Sequence, residues 1–182
     1  MTIYGQRYEQ LLRAVRDKQP QAILEVGTWS GNTALNMLSL SSKSRYYGFD
    51  LFEDGTKEND ALEFNTKAHQ RMDDVYEKLT GYDVHLYKGN TRETLATFDE
   101  KVDFVWIDGG HSVETIRSDW ENVKRCLMPH AWVFFDDYYT DGVDIKRMGC
   151  NLVVEKLRHE VLPIKDPVKG GGNTQMVRVW AD

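Results

Sequence analysis

Ala22-Ile23-Leu24-Glu25-Val26-Gly27-Thr28-Trp29-Ser30-Gly31 reads as a buried strand carrying an acid near its end, followed by a loop framed by two glycines. Twenty-five residues after Glu25, a second apolar run, Tyr46-Tyr47-Gly48-Phe49, also closes on an acid, Asp50. Two strands ending this way describe a nucleoside site at the open edge of a parallel sheet. The first loop lets a charged tail approach the backbone, and the second acid accepts hydrogen bonds from ribose hydroxyls. A dinucleotide fingerprint would place Gly-x-Gly-x-x-Gly here, so that backbone and helix start could meet a pyrophosphate. Gly27 and Gly31 instead frame Thr28-Trp29-Ser30.

Outward from this stretch, apolar runs and helical stretches alternate. An amphipathic helix over 3–18 (Ile3, Leu11, Leu12, Val15) ends before Pro20. Strands are predicted at 22–26, 46–50, 83–88, 102–107 and 131–136, with helices at 31–40, 59–80, 91–97 and 112–127. A further helix follows at about 144–160. Two last strands, 161–165 and 175–180, are joined through Pro167 and Gly170-Gly171-Gly172 and form a hairpin. The expectation is an α/β, Rossmann-like, doubly wound and mostly parallel seven-stranded sheet with a terminal antiparallel hairpin, in one domain over 1–182. Residues 54–80 are charged and longer than a minimal crossover. They read as a solvated crossover helix, or else as a flap whose Phe64, His69 and Met72 touch the substrate.

Composition excludes several classes. The 182 residues are 41% hydrophobic and 29% charged, ordinary for a soluble globular chain large enough to bury a core. A net charge of −6 without a Lys/Arg stripe argues against non-specific nucleic-acid binding. Two cysteines, Cys126 and Cys150, suggest neither a disulfide framework nor a zinc site, which fits a reducing cytoplasm. No signal peptide and no membrane-spanning run is visible. A homo-oligomer is compatible with all of this.

Glu25-x-Gly27-x-x-x-Gly31 resembles motif I of the class I S-adenosylmethionine-dependent methyltransferases. In that reading Gly27, Thr28, Trp29 and Gly31 form the cofactor loop, and the helix from Asn32 offers free N–H groups to the cofactor's carboxylate. Glu25 suits the amine and the sulfonium, and Asp50 takes the ribose hydroxyls. Leu51 packs on the adenine, while Asn90 and Thr91 lie near its edge. The bland alternatives are a helix-pairing acid at Glu25 and an exposed strand-end carboxylate at Asp50.

A second signal is Val102-Asp103-Phe104-Val105-Trp106-Ile107-Asp108-Gly109-Gly110-His111, followed 28 residues after Asp108 by Asp136-Asp137. One crossover helix (Val113, Ile116, Trp120, Val123, Leu127) separates the two runs, so their strands lie side by side and bring the three acids together. Crowded carboxylates repel, and a hard divalent cation, most simply Mg²⁺, would neutralise them. Both Asp136 and Asp137 can be ligands only if the strand ends or bends there.

Ile-Asp-Gly-Gly-His with the downstream Phe-Asp-Asp-Tyr resembles the macrocin and mycinamicin group of metal-dependent sugar O-methyltransferases, over about residues 20–140. The resemblance implies Mg²⁺ on Asp108, Asp136 and Asp137, with Asp108 also near the cofactor and His111 as general base. It also implies a small-molecule hydroxyl acceptor, a sugar or glycosylated metabolite, with Tyr138 and Tyr139 as a pocket wall. The structural alternative for His111 is a turn residue before an N-cap at Ser112. His69, His85, His130 and His159 read as structural or surface residues. A metal-dependent hydrolase would explain the acids but leave residues 25–50 idle. A nicotinamide oxidoreductase would need the absent glycines, and a non-catalytic cofactor-binding module would leave the acids and His111 without a task.

Overall fold

Runs rich in Ile, Val, Leu, Phe and Tyr become strands wherever helices can cover both faces of the sheet. A computed structural model describes residues 6–168 and 171–180. Four strands, β1 (Ala22–Val26), β2 (Arg45–Asp50), β3 (Asp83–Lys88) and β4 (Val102–Ile107), are parallel to one another and to most of a long fifth, β5 (Leu127–Tyr139). Then come β6 (His159–Val161), β7 (Asp166–Pro167) and β8 (Asn173–Val179). The order is β3-β2-β1-β4-β5-β8-β6, with β8 antiparallel to β5, β6 and β7. The doubly wound sheet with its reversed terminal hairpin is therefore present. It has eight strands rather than seven, because Pro163, which lacks an N–H, falls between β6 and β7.

Every residue of β1 and β4 is buried, and alternate side chains feed two cores. Ile23, Phe104, Trp106 and Phe134 pack under α1 (Tyr8–Lys18) and α2 (Asn32–Leu40), with Leu11, Val15 and Met37. Leu24, Val105, Ile107 and Phe135 pack on the opposite face with Ile116, Trp120 and Val123 of α6 (Val113–Val123). The helix α1 ends at Gln19, which turns left-handed (φ 47°) and returns its amide to Val15. Ile3 and Gly170, used in the sequence reading, lie outside the described residues.

Two expected helices are corrected. The 59–80 helix is broken into α3 (Lys57–Leu62) and α4 (Met72–Lys78). At the break Phe64 has φ 55°, and the Asn65 side chain donates to Asp60 and accepts from the Lys67 amide, local bonds that compete with a helical ladder. The 144–160 helix shrinks to α7 (Asn151–Val154). The residues before it send their amides elsewhere, Gly149 to His111 O at 2.8 Å and Cys150 to Asp137 O at 3.0 Å. The 91–97 stretch is α5 (Thr91–Thr94) plus one 3₁₀ turn. Among the described residues, no helix is long and apolar enough to cross a membrane.

Candidate active site

The strand order reverses between β1 and β4, and in open α/β sheets ligands bind at such a point, beyond the strands' carboxyl ends. Here lies a cleft of about 230 Å³, lined by residues at or just beyond the ends of β1 (Gly27, Trp29), β2 (Asp50, Leu51), β3 (Asn90, Thr91, Arg92) and β4 (Asp108, Gly109, Gly110, His111). The first loop can lie this close only because residue 27 has no Cβ. Gly27 sits at φ 91°, and a Cβ there would be 2.0 Å from the carbonyl oxygen of Asp108.

Asp50 is tied into the floor by its own neighbours. Its two carboxylate oxygens accept from the amides of Trp29 and Phe52, each at 2.8 Å. Burial raises its pKa, and those amides oppose the rise. Asn90 caps α5, its side-chain oxygen accepting from the Arg92 amide at 3.0 Å. Leu51 and Thr91 complete this end. Three motif residues do not line the cleft. Gly31 is the N-cap of α2 and faces Val75. Thr28 is buried, 3.3 Å from the Tyr46 hydroxyl. Glu25 is 1% exposed, its carboxyl held by the Tyr46 hydroxyl, and burial pushes its pKa up to about 8, an effect the Tyr46 bond opposes. Glu25, expected to meet the amine and the sulfonium, is thus shut away from the cleft lining in this structure.

Segment 57–71, part of the 54–80 stretch that reads either as a solvated crossover or as a flap, forms a wall of the cleft. Asn59, Asp60, Leu62, Glu63, Asn65, Lys67 and His69 all face it. Of the three flap contacts expected, only His69 lies on the wall, bonded to Asp60 at 2.8 Å. Met72 packs on the α1/α2 core, and Phe64 lies beside the Arg147 guanidinium. The wall is pinned by Glu63, whose carboxylate accepts from the Ser112 amide (2.9 Å) and from the hydroxyls of Ser112 (3.1 Å) and Thr115 (2.5 Å) at the start of α6. The Trp29 indole N–H donates to Ala68 O at 2.9 Å, and the Lys67 ammonium stands 5.1 Å from the Trp29 ring centre.

His111 faces the cleft from the β4 side. Its Nδ1 is 2.9 Å from the Glu63 carbonyl oxygen, an atom that can only accept. Nδ1 therefore carries the hydrogen, and in the neutral ring Nε2 holds the free lone pair. Nε2 lies 3.5 Å from Asp137 Oδ2. Asp137 reaches it because β5 bends: pairing shifts register between Phe135 and Tyr138, and Asp137 has φ 61°. The bend that the sequence required is present.

The three acids are gathered but not aimed at one point. Asp108 accepts from the Tyr8 hydroxyl at 2.7 Å. Both oxygens of Asp136 are taken by Arg7, through Nε at 2.7 Å and Nη2 at 2.6 Å. Burial, then Asp136 and Asp137, hold the Asp108 carboxyl well above its usual range. Among the described residues, no three His, Cys, Asp or Glu side chains are arranged to hold a metal ion. The expected Mg²⁺ ligand set of Asp108, Asp136 and Asp137 is therefore not assembled: Arg7 holds Asp136, the Tyr8 hydroxyl reaches Asp108 and Asp136, and Asp137 faces His111. Tyr138 and Tyr139 do not line the cleft, and the Tyr139 backbone is tied to the Asn151 side chain. Arg7, Tyr8 and Glu63 had no sequence signal, since each meets its partners at the site across 48 residues or more.

A methyltransferase domain model matches residues 24–138, more than half of the chain, from within β1 through all of β2, β3 and β4. Among solved structures, cofactor-bound Rv0187 from MTB is 14% identical, with a TM-score of 0.71 over 98% of this chain and 81% of that one. The O-methyltransferase TomG from Streptomyces achromogenes, in complex with SAM, is 17% identical, with a TM-score of 0.68 over 98% and 81%. The Bacillus cereus O-methyltransferase in complex with SAH is 16% identical, with a TM-score of 0.64 over 97% and 81%. At these identities the likeness speaks to the fold, and no curated protein matches the sequence. The matched segment runs through the Gly27 loop, Asp50, Asp108 and His111, and by that match the chain belongs to the methyltransferase domain family.

Proposed function

We propose that the chain is an S-adenosylmethionine-dependent O-methyltransferase whose acceptor is a small-molecule hydroxyl, with a sugar or glycosylated metabolite favoured, and whose general base is His111. The observation that carries the reading is His111 itself, on the wall of the same cleft as Asp50, with Nδ1 tied to Glu63 O and Nε2 left to accept a proton. S-adenosylmethionine, when bound, supplies an electrophilic methyl group on a positively charged sulfur. The donor set suits that molecule. The two carboxylate oxygens of Asp50 offer more acceptor positions than the Trp29 and Phe52 amides fill, which leaves room for ribose hydroxyls. Leu51, Trp29 and Phe49 offer apolar surface to a base, and Asn90 and Thr91 offer polar atoms beside it.

On the acceptor side, an alcohol attacks only as its proton leaves. His111 Nε2 takes that proton from the hydroxyl oxygen. The resulting imidazolium is stabilised by the Asp137 carboxylate 3.5 Å away, and the Glu63 carbonyl keeps the ring in orientation. Segment 57–71 limits water at the reacting end. Mg²⁺ does not fit the donor set as it stands, since the oxygens of Asp136 are spent on Arg7, and no step is assigned to it.

Calorimetric titration with S-adenosylmethionine, with NAD as control, is the direct test. Micromolar binding of the first and none of the second is expected. Heat from NAD alone, or from neither, would remove the cofactor assignment.

A further inference from the structure

Clustered carboxylates at the ends of β4 and β5 need positive charge close by, and this chain brings it from its own N-terminal helix. The Arg7 guanidinium is engaged on all three nitrogens: Nε and Nη2 on Asp136 at 2.7 and 2.6 Å, and Nη1 on Asp166 at 2.9 Å. Asp166 in β7 also accepts from the backbone amides of Gln6 (2.8 Å) and Arg7 (3.1 Å), so it fixes where α1 starts and thereby where Arg7 reaches. One residue on, the Tyr8 hydroxyl spans Asp108 at 2.7 Å and Asp136 at 3.2 Å. Asp137 turns the other way, toward His111. The acids are thus divided among a guanidinium, a phenol and an imidazole. A hard divalent ion would need several of those oxygens directed at one centre.

We propose that Arg7, bonded to Asp136, is a built-in cation that takes the place of a divalent metal at this acid cluster, with the Tyr8 hydroxyl bridging Asp108 and Asp136, so that the protein binds its cofactor and acceptor without a metal. The consequence for methyl transfer rests on the function proposed above; the cation assignment does not. A fixed guanidinium suits the task because its planar fork matches a carboxylate in two parallel bonds and stays charged at every working pH. It also explains why a charged side chain at the start of α1 is nearly buried, 15% exposed, at the sheet end.

The test uses the purified full chain without cofactor. Titration with Mg²⁺ by calorimetry and with Mn²⁺ by electron paramagnetic resonance should show no uptake, and neither Mg²⁺ nor EDTA should move the melting temperature. Uptake of one Mg²⁺ per chain, abolished in Asp136→Asn, would overturn the proposal. Arg7→Met should melt lower than wild type and should now take up Mn²⁺; a folded Arg7→Met that takes up none would also overturn it. In the cycle of Arg7→Met, Asp136→Asn and the double variant, the double should lose less than the two singles added together, whereas additive losses would show that Arg7 is not the partner of Asp136. S-adenosylmethionine is titrated into the same wild-type sample. Its failure to bind would end the methyl-transfer reading and leave the metal result standing.

Discussion

The two ends of the cleft are built differently. At the nucleoside end, Asp50 is satisfied by Trp29 and Phe52, which are 21 and 2 residues away, and Asn90 caps the turn that it begins. At the acid end, Asp136 meets Arg7 across 129 residues, Asp108 meets Tyr8 across 100, and His111 meets Glu63 across 48. The first end is assembled by loops that directly follow their strands. The second exists only once α1 and segment 57–71 have docked. The nucleoside end should therefore tolerate changes at the acid end, and the acid end should couple chemistry to the stability of distant elements.

The largest effect that would break or sharpen this contrast concerns turnover. His111→Ala should slow methyl transfer by about a hundred- to ten-thousandfold, the range for removing a general base, with S-adenosylmethionine affinity near wild type. Unchanged turnover would take His111 out of the mechanism, and a large loss of affinity would erase the separation between the two ends. Next is stability. Arg7→Ala leaves Asp136 buried without its partner, which should cost about 3–5 kcal/mol in urea unfolding. A loss under about 1 kcal/mol, the level of a surface ion pair, would mean that α1 is not tied to the sheet this way.

At the other end, Asp50→Asn should weaken S-adenosylmethionine binding by about 1.5–3 kcal/mol, the scale of a hydrogen bond to a charged group, roughly ten- to a hundredfold. Equal affinity would detach Asp50 from the cofactor. The smallest effect is at Glu25. Its pKa of about 8 in the fold, against an ordinary value of 4.5, means that the folded state keeps a proton which the unfolded chain releases between those limits. Stability then falls as pH rises from about 4.5 to about 8 and stays reduced above that. Glu25→Gln should flatten the pH profile and raise stability above pH 8 by about 1–3 kcal/mol, one to two pKa units' worth, while leaving S-adenosylmethionine affinity unchanged. A drop in affinity would instead make Glu25 a cofactor residue despite its burial.

Much of the architecture was legible because its signals are local. The alternation of apolar runs with helical stretches named β1 to β5 within a few residues, and strand-end acids marked Asp50 and Asp108 at the open edge. The spacing of 28 residues between Asp108 and Asp136 correctly put β4 beside β5. Where local bonds rival the helix, as at Asn65, or where backbone donors are drawn to other loops, as at Gly149 and Cys150, periodicity misled.

From the sequence alone came the order of elements, the placing of β4 beside β5, and the residues that stand at the strand ends. Those follow from repeats of two and 3.6 residues and from turn chemistry, which act over a few positions. Only the tertiary structure decided what faces those residues. It put Tyr46 on Glu25, so a motif acid is buried away from the cleft, and Glu63 on His111 and α6, so the 57–71 segment became a wall. It put Arg7 on Asp136, so a cluster that reads as a metal site is filled by the chain's own cation. Charge partners depend on which distant segments pack together, and the pattern within a single segment carries no record of that.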